Sequence, residues 1–239
     1  PKSGEHRSAF LVDDFDGDGQ QEAYAFYRPG MNEKDNERTH INYLRKEDGE
    51  WLSVADAEGY ASEIGEVFLG DLRGNGIKEL CVGWQPYGSG SREMVAYTLS
   101  PTGLVEQDLG AYSSAMVADL TGSGNDSLLL LSVGTEQTVT ARLWSMTSGQ
   151  LTELGMARLD GNIVSFSNLQ RVTLADGVIG VYVDGLQESG SMVTELIYWE
   201  DGQLNAPFYL PEDNLTTITL RESGIPSMDI DGDGQVEWP

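Results

Sequence analysis

Soft metal ligands are almost missing from this chain of 239 residues, which has one cysteine, Cys81, and two histidines, His6 and His40. A lone cysteine forms no disulfide within the chain, and this set is too small for a zinc or copper site built on sulfur and imidazole. Positive charge is scarce as well: 14 Lys and Arg face 39 Asp and Glu, for a net charge of -25. Nucleic-acid binding needs a basic patch to displace counterions, and no basic stripe exists, so a nucleic-acid partner is excluded. Long apolar runs are absent too. The longest covers residues 23–27, far short of the roughly 20 residues a membrane-spanning helix needs. Because the chain opens on Pro1 rather than Met, a processed or trimmed product is expected, with any secretory leader already gone.

What the chain does have is enough apolar surface for a core, 39 % hydrophobic and 9 % aromatic, and an abundance of hard oxygen ligands. Carboxylates in this excess suit calcium, which is plentiful outside cells, so an extracellular or cell-surface location is expected.

A repeat organises the rest. The pattern Asp-x-x-Gly-x-Gly occurs at Asp14-Phe15-Asp16-Gly17-Asp18-Gly19, Asp71-Leu72-Arg73-Gly74-Asn75-Gly76, Asp119-Leu120-Thr121-Gly122-Ser123-Gly124 and Asp229-Ile230-Asp231-Gly232-Asp233-Gly234. Its first three copies lie 57 and 48 residues apart, while the last follows after 110, about twice that period. A decayed copy is therefore expected near residue 170, at Asn168-Leu169-Gln170-Arg171-Val172. Turn glycines Gly49, Gly103, Gly149 and Gly202 carry a second pattern in step with the first, each between two strand-like runs. β-Branched and aromatic runs bounded by turn residues predict strands, for instance over residues 8–12, 23–27, 41–44 and 50–54, and no amphipathic helix competes.

Each period thus reads as four strands, with the Asp/Gly loop between the first and second. Four-stranded units of about 50 residues in series predict an all-β, propeller-like array, since radial repetition protects sheet edges. The expected units cover residues 3–58, 59–109, 110–159 and 160–213, with a partial fifth over 214–239, in one domain and as a monomer. Whether such a ring closes within the chain is open at this stage.

The first loop places carboxylates at positions one, three, five and nine, as Asp14, Asp16, Asp18 and Glu22, with Gly19 at the bend and the Gln20 carbonyl turned inward. Such crowding of like charge is costly without a cation, and an all-oxygen set of this kind fits Ca2+. Asp229, Asp231, Asp233, the Gln235 carbonyl and Glu237 repeat it. Position twelve of the first loop is Ala25 rather than a bidentate Glu, which excludes an EF-hand. In the second loop Arg73 stands where a ligand should be and is expected to pair with Asp71 or Glu79 in place of metal. The third has Thr121, Ser123 and Ser127, hydroxyls suited to hydrogen-bonding Asp119.

These loops resemble the FG-GAP and VCBS repeats of calcium-binding β-propellers, closely at residues 14–22 and 229–237 and weakly over nearly the whole chain. More narrowly, Ser3-Gly4-Glu5-His6-Arg7-Ser8, residues 22–28 and residues 229–239 look like those of uncharacterised VCBS-repeat lipoproteins of Gram-positive gut bacteria. That likeness implies a secreted, membrane-anchored protein and no known activity.

Catalytic signals are thin. Tyr87-Gly88-Ser89-Gly90-Ser91 only brushes the nucleophile-elbow pattern, and with 39 acids some carboxylate pair is always near. Variable loops between second and third strands gather at one face of a propeller, and two are aromatic, which makes Tyr27, Arg28, Trp84 and Tyr87 candidate ligand contacts. His6 and His40 read as solvated, and Cys81 as a small buried apolar residue. The expectation is a calcium-stabilised binding or scaffold module for a protein or glycan, without catalysis. The alternatives are a calcium-dependent hydrolase, phytase-like or polysaccharide-active, and a structural spacer.

Overall fold

A computed structural model describes residues 10–28, 38–61, 63–86, 88 and 90–237. It is all-β apart from a single 3-10 turn at Ala175–Gly177. Among the described residues four antiparallel sheets follow one another along the chain, each built on four successive strands, the last with a fifth added from further along. The first holds β1 (Phe10–Asp13), β2 (Glu22–Tyr27), β3 (His40–Glu47) and β4 (Glu50–Glu58), and the second β5 (Glu63–Gly70), β6 (Glu79–Gln85), β7 (Arg92–Ser100) and β8 (Gly103–Tyr112). The third holds β9 (Ser114–Ala118), β10 (Ser127–Val133), β11 (Val139–Thr147) and β12 (Gln150–Arg158). The fourth holds β13 (Ile163–Thr173), β14 (Ile179–Gln187), β15 (Ser191–Glu200) and β16 (Gln203–Asn205). The chain divides into two compact units, residues 1–111 and 112–239.

The predicted turn glycines sit where hairpins close. Asp48-Gly49, Ser148-Gly149 and Asp201-Gly202 all take positive φ, the twist that lets a two-residue loop follow the right-handed twist of its strands. Gly59 has a packing reason instead. A Cβ there would lie 2.3 Å from the Trp84 ring and 2.4 Å from the Thr39 carbonyl.

Central strands are buried on both faces, as Leu128, Leu129, Leu130 and Leu131 of β10 illustrate, and each such side chain removed from water contributes roughly 1.5–3 kcal/mol. Unit 1 has its core around Phe15, Tyr24, Tyr43, Leu80, Trp84 and Tyr97. Unit 2 packs Leu129, Leu131, Leu143, Leu159, Ile163 and Val183. Cys81 is buried and unpaired, and burial pushes its thiol up to about 12.

The segment expected as a decayed loop is a strand. Asn168-Leu169-Gln170-Arg171-Val172 lies inside β13, paired to β14 from Asp184 to Gly180, and the chain turns only at residues 174–178. The stretch has no glycine to bend it, whereas Gly177 takes φ 80° in the turn, so the break falls there.

After β16 the chain runs in short pieces. A ribbon of β17 (Tyr209–Leu210) and β18 (Leu215–Thr216) is followed by β19 (Arg221–Glu222), which pairs with β15, and by a bridge between Met228 and Glu237.

Candidate functional site

The four Asp/Gly loops share one frame. In each, the first aspartate accepts the N–H of the glycine five residues on: Asp14 from Gly19 (2.9 Å), Asp71 from Gly76 (2.8 Å), Asp119 from Gly124 (2.8 Å) and Asp229 from Gly234 (3.0 Å). Position nine then accepts the N–H of position two. Glu22 takes it from Phe15 (2.9 Å), Glu79 from Leu72 (3.0 Å), Ser127 from Leu120 (3.2 Å) and Glu237 from Ile230 (2.9 Å). Phe15, Leu72 and Leu120 are thereby held in the core, while Ile230 is 57 % exposed. The frame is a property of the turn, independent of charge.

What fills it differs. In the first loop a carboxylate oxygen from each of Asp14, Asp16 and Asp18 lies within 4.8 Å of the others. Buried Glu22 spends Oε2 on Phe15, while its Oε1 is buried without a hydrogen-bond partner. Burial raises the Glu22 pKa, with Asp16, Asp18 and Asp14 adding to the rise. One side-chain cation stands near, Arg45, 3.6 Å from Asp16. The Gln20 N–H is bound by Asp18 at 2.7 Å.

The last loop copies this geometry, with Asp233 accepting from Gln235 at 2.7 Å, and its close group is Asp229, Asp231 and Glu237. Both loops are able to take a hard cation on carboxylate oxygens.

In the second loop Arg73 Nε sits 2.9 Å from Glu79 Oε1, the oxygen equivalent to the unpartnered one of Glu22. A guanidinium thus faces the acid where the first loop faces it with three aspartates. In the third loop the Thr121 hydroxyl lies 2.9 Å from the Ser123 hydroxyl and 3.4 Å from Asp119 Oδ1, so hydroxyls complete that turn.

The aromatic candidates part company. Trp84 is near the end of β6, wholly buried, and donates Nε1–H to Tyr97 Oη at 3.1 Å. It is core, because its strand runs on to Gln85 before the chain turns, and no ligand on the surface reaches it. Tyr87 lies outside the described residues, as does His6. Arg28 is exposed just after β2. Tyr27 is exposed and donates to Asp56, which also accepts Asn42 Nδ2 (3.0 Å) and pairs with His40 Nδ1 (2.8 Å). The His40 ring stays partly exposed, with a carboxylate holding it. Asp56 is partly desolvated, which alone would raise it, yet the bonds from Tyr27, His40 and Asn42 hold it below the usual carboxylate range.

Unit 2 contains a feature the sequence did not announce. A cavity of about 500 Å³ opens at the ends of β10 and β14 away from the Asp119 loop, walled by Gln137, Asn162, Gln187, Val139, Ile163 and Val164. Beneath it lies Asp160, fully buried. Its Oδ1 accepts Asn162 N–H (2.7 Å) and Nδ2 (3.0 Å), and its Oδ2 accepts Gln187 Nε2 (2.9 Å) and Thr216 N–H (2.9 Å). Glu195, also fully buried, accepts the Asp160 N–H (2.9 Å) and the Thr216 hydroxyl through Oε1, and its Oε2 has no partner. Burial lifts the Glu195 pKa to about 7. A third buried acid, Asp184, is instead held ionised, below the usual range: burial opposes this, but the hydroxyls of Thr194 and Ser227, the Ser227 N–H and Asn168 all donate to it, and Arg221 lies 3.0 Å away. These acids fasten the last segment to the fourth sheet. The sequence signal was available but faint: acids inside otherwise apolar strands, Val183-Asp184-Gly185 and Thr194-Glu195-Leu196.

No protein-family model matches the chain, and no curated protein matches its sequence. Solved structures do match its fold. It is similar to the exotype rhamnogalacturonan lyase YesX at 13 % identity and TM-score 0.51, covering 96 % of this chain and 55 % of that one. It is similar in the same way to rhamnogalacturonan lyase PL11 of Bacillus licheniformis, at 12 % identity and TM-score 0.51, covering 96 % of this chain and 57 % of that one. The chain thus spans little more than half the length of these lyases. The expectation of a module without catalysis is corrected on this finding: both of these structures of like fold are rhamnogalacturonan lyases, not binding scaffolds. Among the described residues no helix is long and apolar enough to cross a membrane.

Proposed function

We propose that this chain is a calcium-stapled, propeller-type scaffold of a polysaccharide-active enzyme that works outside the bacterial cell. The observation that carries the reading is the likeness of fold over 96 % of the chain to two rhamnogalacturonan lyases. Four consecutive sheets built on four successive strands each, the last with β19 added, support the propeller arrangement, and the resemblance of the Asp14 and Asp229 loops to FG-GAP and VCBS repeats supports calcium as the staple.

Residues Asp14, Asp16, Asp18 and Glu22 would hold one ion, and Asp229, Asp231, Asp233 and Glu237 another, with the Gln20 and Gln235 carbonyls completing the two sets. Calcium supplies charge neutralisation there. It ties the turn to the strand that follows, and it stabilises the fold by about 2.7 kcal/mol per site when free calcium is a hundredfold above the dissociation constant. Millimolar calcium outside cells suits weak surface sites of this kind.

The test is direct. Pectic and neutral polysaccharides are incubated with the protein, with calcium and with chelator, while unsaturated products are followed by ultraviolet absorbance and new reducing ends are counted. Elimination yields both signals and hydrolysis only the second. Calcium-dependent depolymerisation is the expected result. Intact polymers in every case would refute the reading.

A further inference from the structure

We infer that the cavity of unit 2 is a subsite for one neutral sugar residue of a glycan, an inference that rests on the polysaccharide-active reading for its biological setting but not for its chemistry. Three residues with amide side chains, Gln137, Asn162 and Gln187, line a space of about 500 Å³, large enough for one or two sugar rings. An amide offers a donor and an acceptor side by side, which matches the vicinal hydroxyls of a sugar.

These amides are not loosely placed. Buried Asp160 accepts one side-chain N–H from each of Asn162 and Gln187, and the Asn162 backbone N–H besides, so two of the three amides are oriented before any ligand arrives, each keeping a second N–H and its carbonyl oxygen, which lowers the entropic cost of binding. The third is held at a cost. Glu136 and Gln137 are consecutive non-glycine residues at φ 55° and 56°, in a turn closed by Thr138 N–H to the Thr135 carbonyl at 3.1 Å. Asn-Gly is the sequence that fits such a turn. Residues kept in the left-handed region without glycine concentrate at ligand-binding positions, and here one of them, Gln137, lines the cavity. Gly161, also in the wall, permits the close fit: a Cβ there would lie 2.1 Å from Asn214 Nδ2 and 2.7 Å from the Gln137 carbonyl.

Charge decides the ligand class. No Lys or Arg lines the cavity, and Glu188 does, so a phosphate, sulfate or uronate meets repulsion with nothing to offset it. Aliphatic Val139, Ile163 and Val164 leave an apolar wall for the C–H face of a ring or for the methyl group of a deoxy sugar.

The test uses the full chain, titrated with L-rhamnose, D-galactose and D-galacturonate and followed by NMR shifts of the Asn and Gln side-chain amides. Saturable millimolar binding of the neutral sugars at one site, with galacturonate at least tenfold weaker, is expected. Asn162→Ala should weaken binding at least tenfold. Gln137→Gly should weaken it about threefold while raising the melting temperature, since it relieves the strained turn; opposite signs are not what a purely structural residue gives. Absence of saturable shifts, equal binding of galacturonate, or unchanged affinity in both variants would overturn the subsite. Binding of this kind in a protein that cleaves no polymer would leave the subsite standing and remove the enzymatic reading. Cleavage with no response of these amides would do the reverse.

Discussion

The first and second Asp/Gly loops are one turn filled in two different ways. Both bind the glycine N–H at position six through the first aspartate, and both turn a buried glutamate at position nine back on the N–H of position two. They even adjoin, the Phe15 carbonyl accepting the Lys78 N–H at 2.8 Å. Only the group facing the free glutamate oxygen differs: three aspartates near Glu22, and the Arg73 guanidinium beside Glu79. A buried acid has to be neutralised, and the means is interchangeable. Glu195 offers a third means: burial lifts its pKa to about 7, so that below that pH a proton neutralises it.

The sharpest way to break this comparison is Arg73→Ala. It leaves Glu79 buried without its partner, and a loss of roughly 3–5 kcal/mol is expected in denaturant unfolding, the usual consequence of stripping one member of a buried pair. Arg73→Asp converts the loop to the acidic pattern of the first. A calorimetric titration should then show one more calcium ion than the unaltered protein binds, with stability restored only when calcium is present.

Next in size is the proton on Glu195. Its folded pKa is about 7, against an ordinary value of 4.5, so its contribution is complete below the unfolded value and is lost as pH rises through the folded one. Between about pH 4.5 and 8 this costs unit 2 roughly 3 kcal/mol. Glu195→Gln should flatten that dependence and be the more stable protein at pH 8. A wild-type stability profile that is flat over this window, with calcium removed, would contradict the assignment.

The smallest effect is the most diagnostic. Glu22 is also raised by burial and by its aspartate neighbours, so the calcium-free first loop is favoured by acid and loses stability as pH rises, with the same sign as Glu195. Glu22→Gln should stabilise the chelator-treated protein by about 1 kcal/mol, while weakening calcium binding at this loop at least tenfold, about 1.4 kcal/mol. At Glu79, which Arg73 already faces, the same substitution should leave calcium binding unchanged.

Much of this was legible in the chain. Aspartate and glycine spacing marked all four loops, and Arg73 at a ligand position foretold a pairing with Asp71 or Glu79, of which Glu79 is the partner. Strands and hairpin turns followed from β-branched runs ending in Asp-Gly or Ser-Gly. What escaped was whatever depends on contacts distant in sequence. Asn168-Leu169-Gln170-Arg171-Val172 looked like a decayed loop because periodicity placed one there, yet strand pairing with residues 180–184 is stronger than a turn lacking glycine. Trp84 looked like a loop aromatic because it precedes a Pro and Gly stretch, but packing against Tyr97 and Gly59 draws it inside. The Asp160 and Glu195 network joins residues 35 positions apart, and no local pattern encodes such a meeting. The likeness to lyases resides in the fold and not in any motif, which is why a reading of motifs alone pointed to a scaffold without catalysis.

One measurement bears most directly on the account: calorimetric titration of calcium into chelator-stripped protein, alongside a variant carrying Asp14→Asn and Asp229→Asn. Two sites in the unaltered chain and none in the variant are predicted, with Arg73 keeping the second loop empty. No binding at millimolar calcium, or binding that survives in the variant, would contradict it.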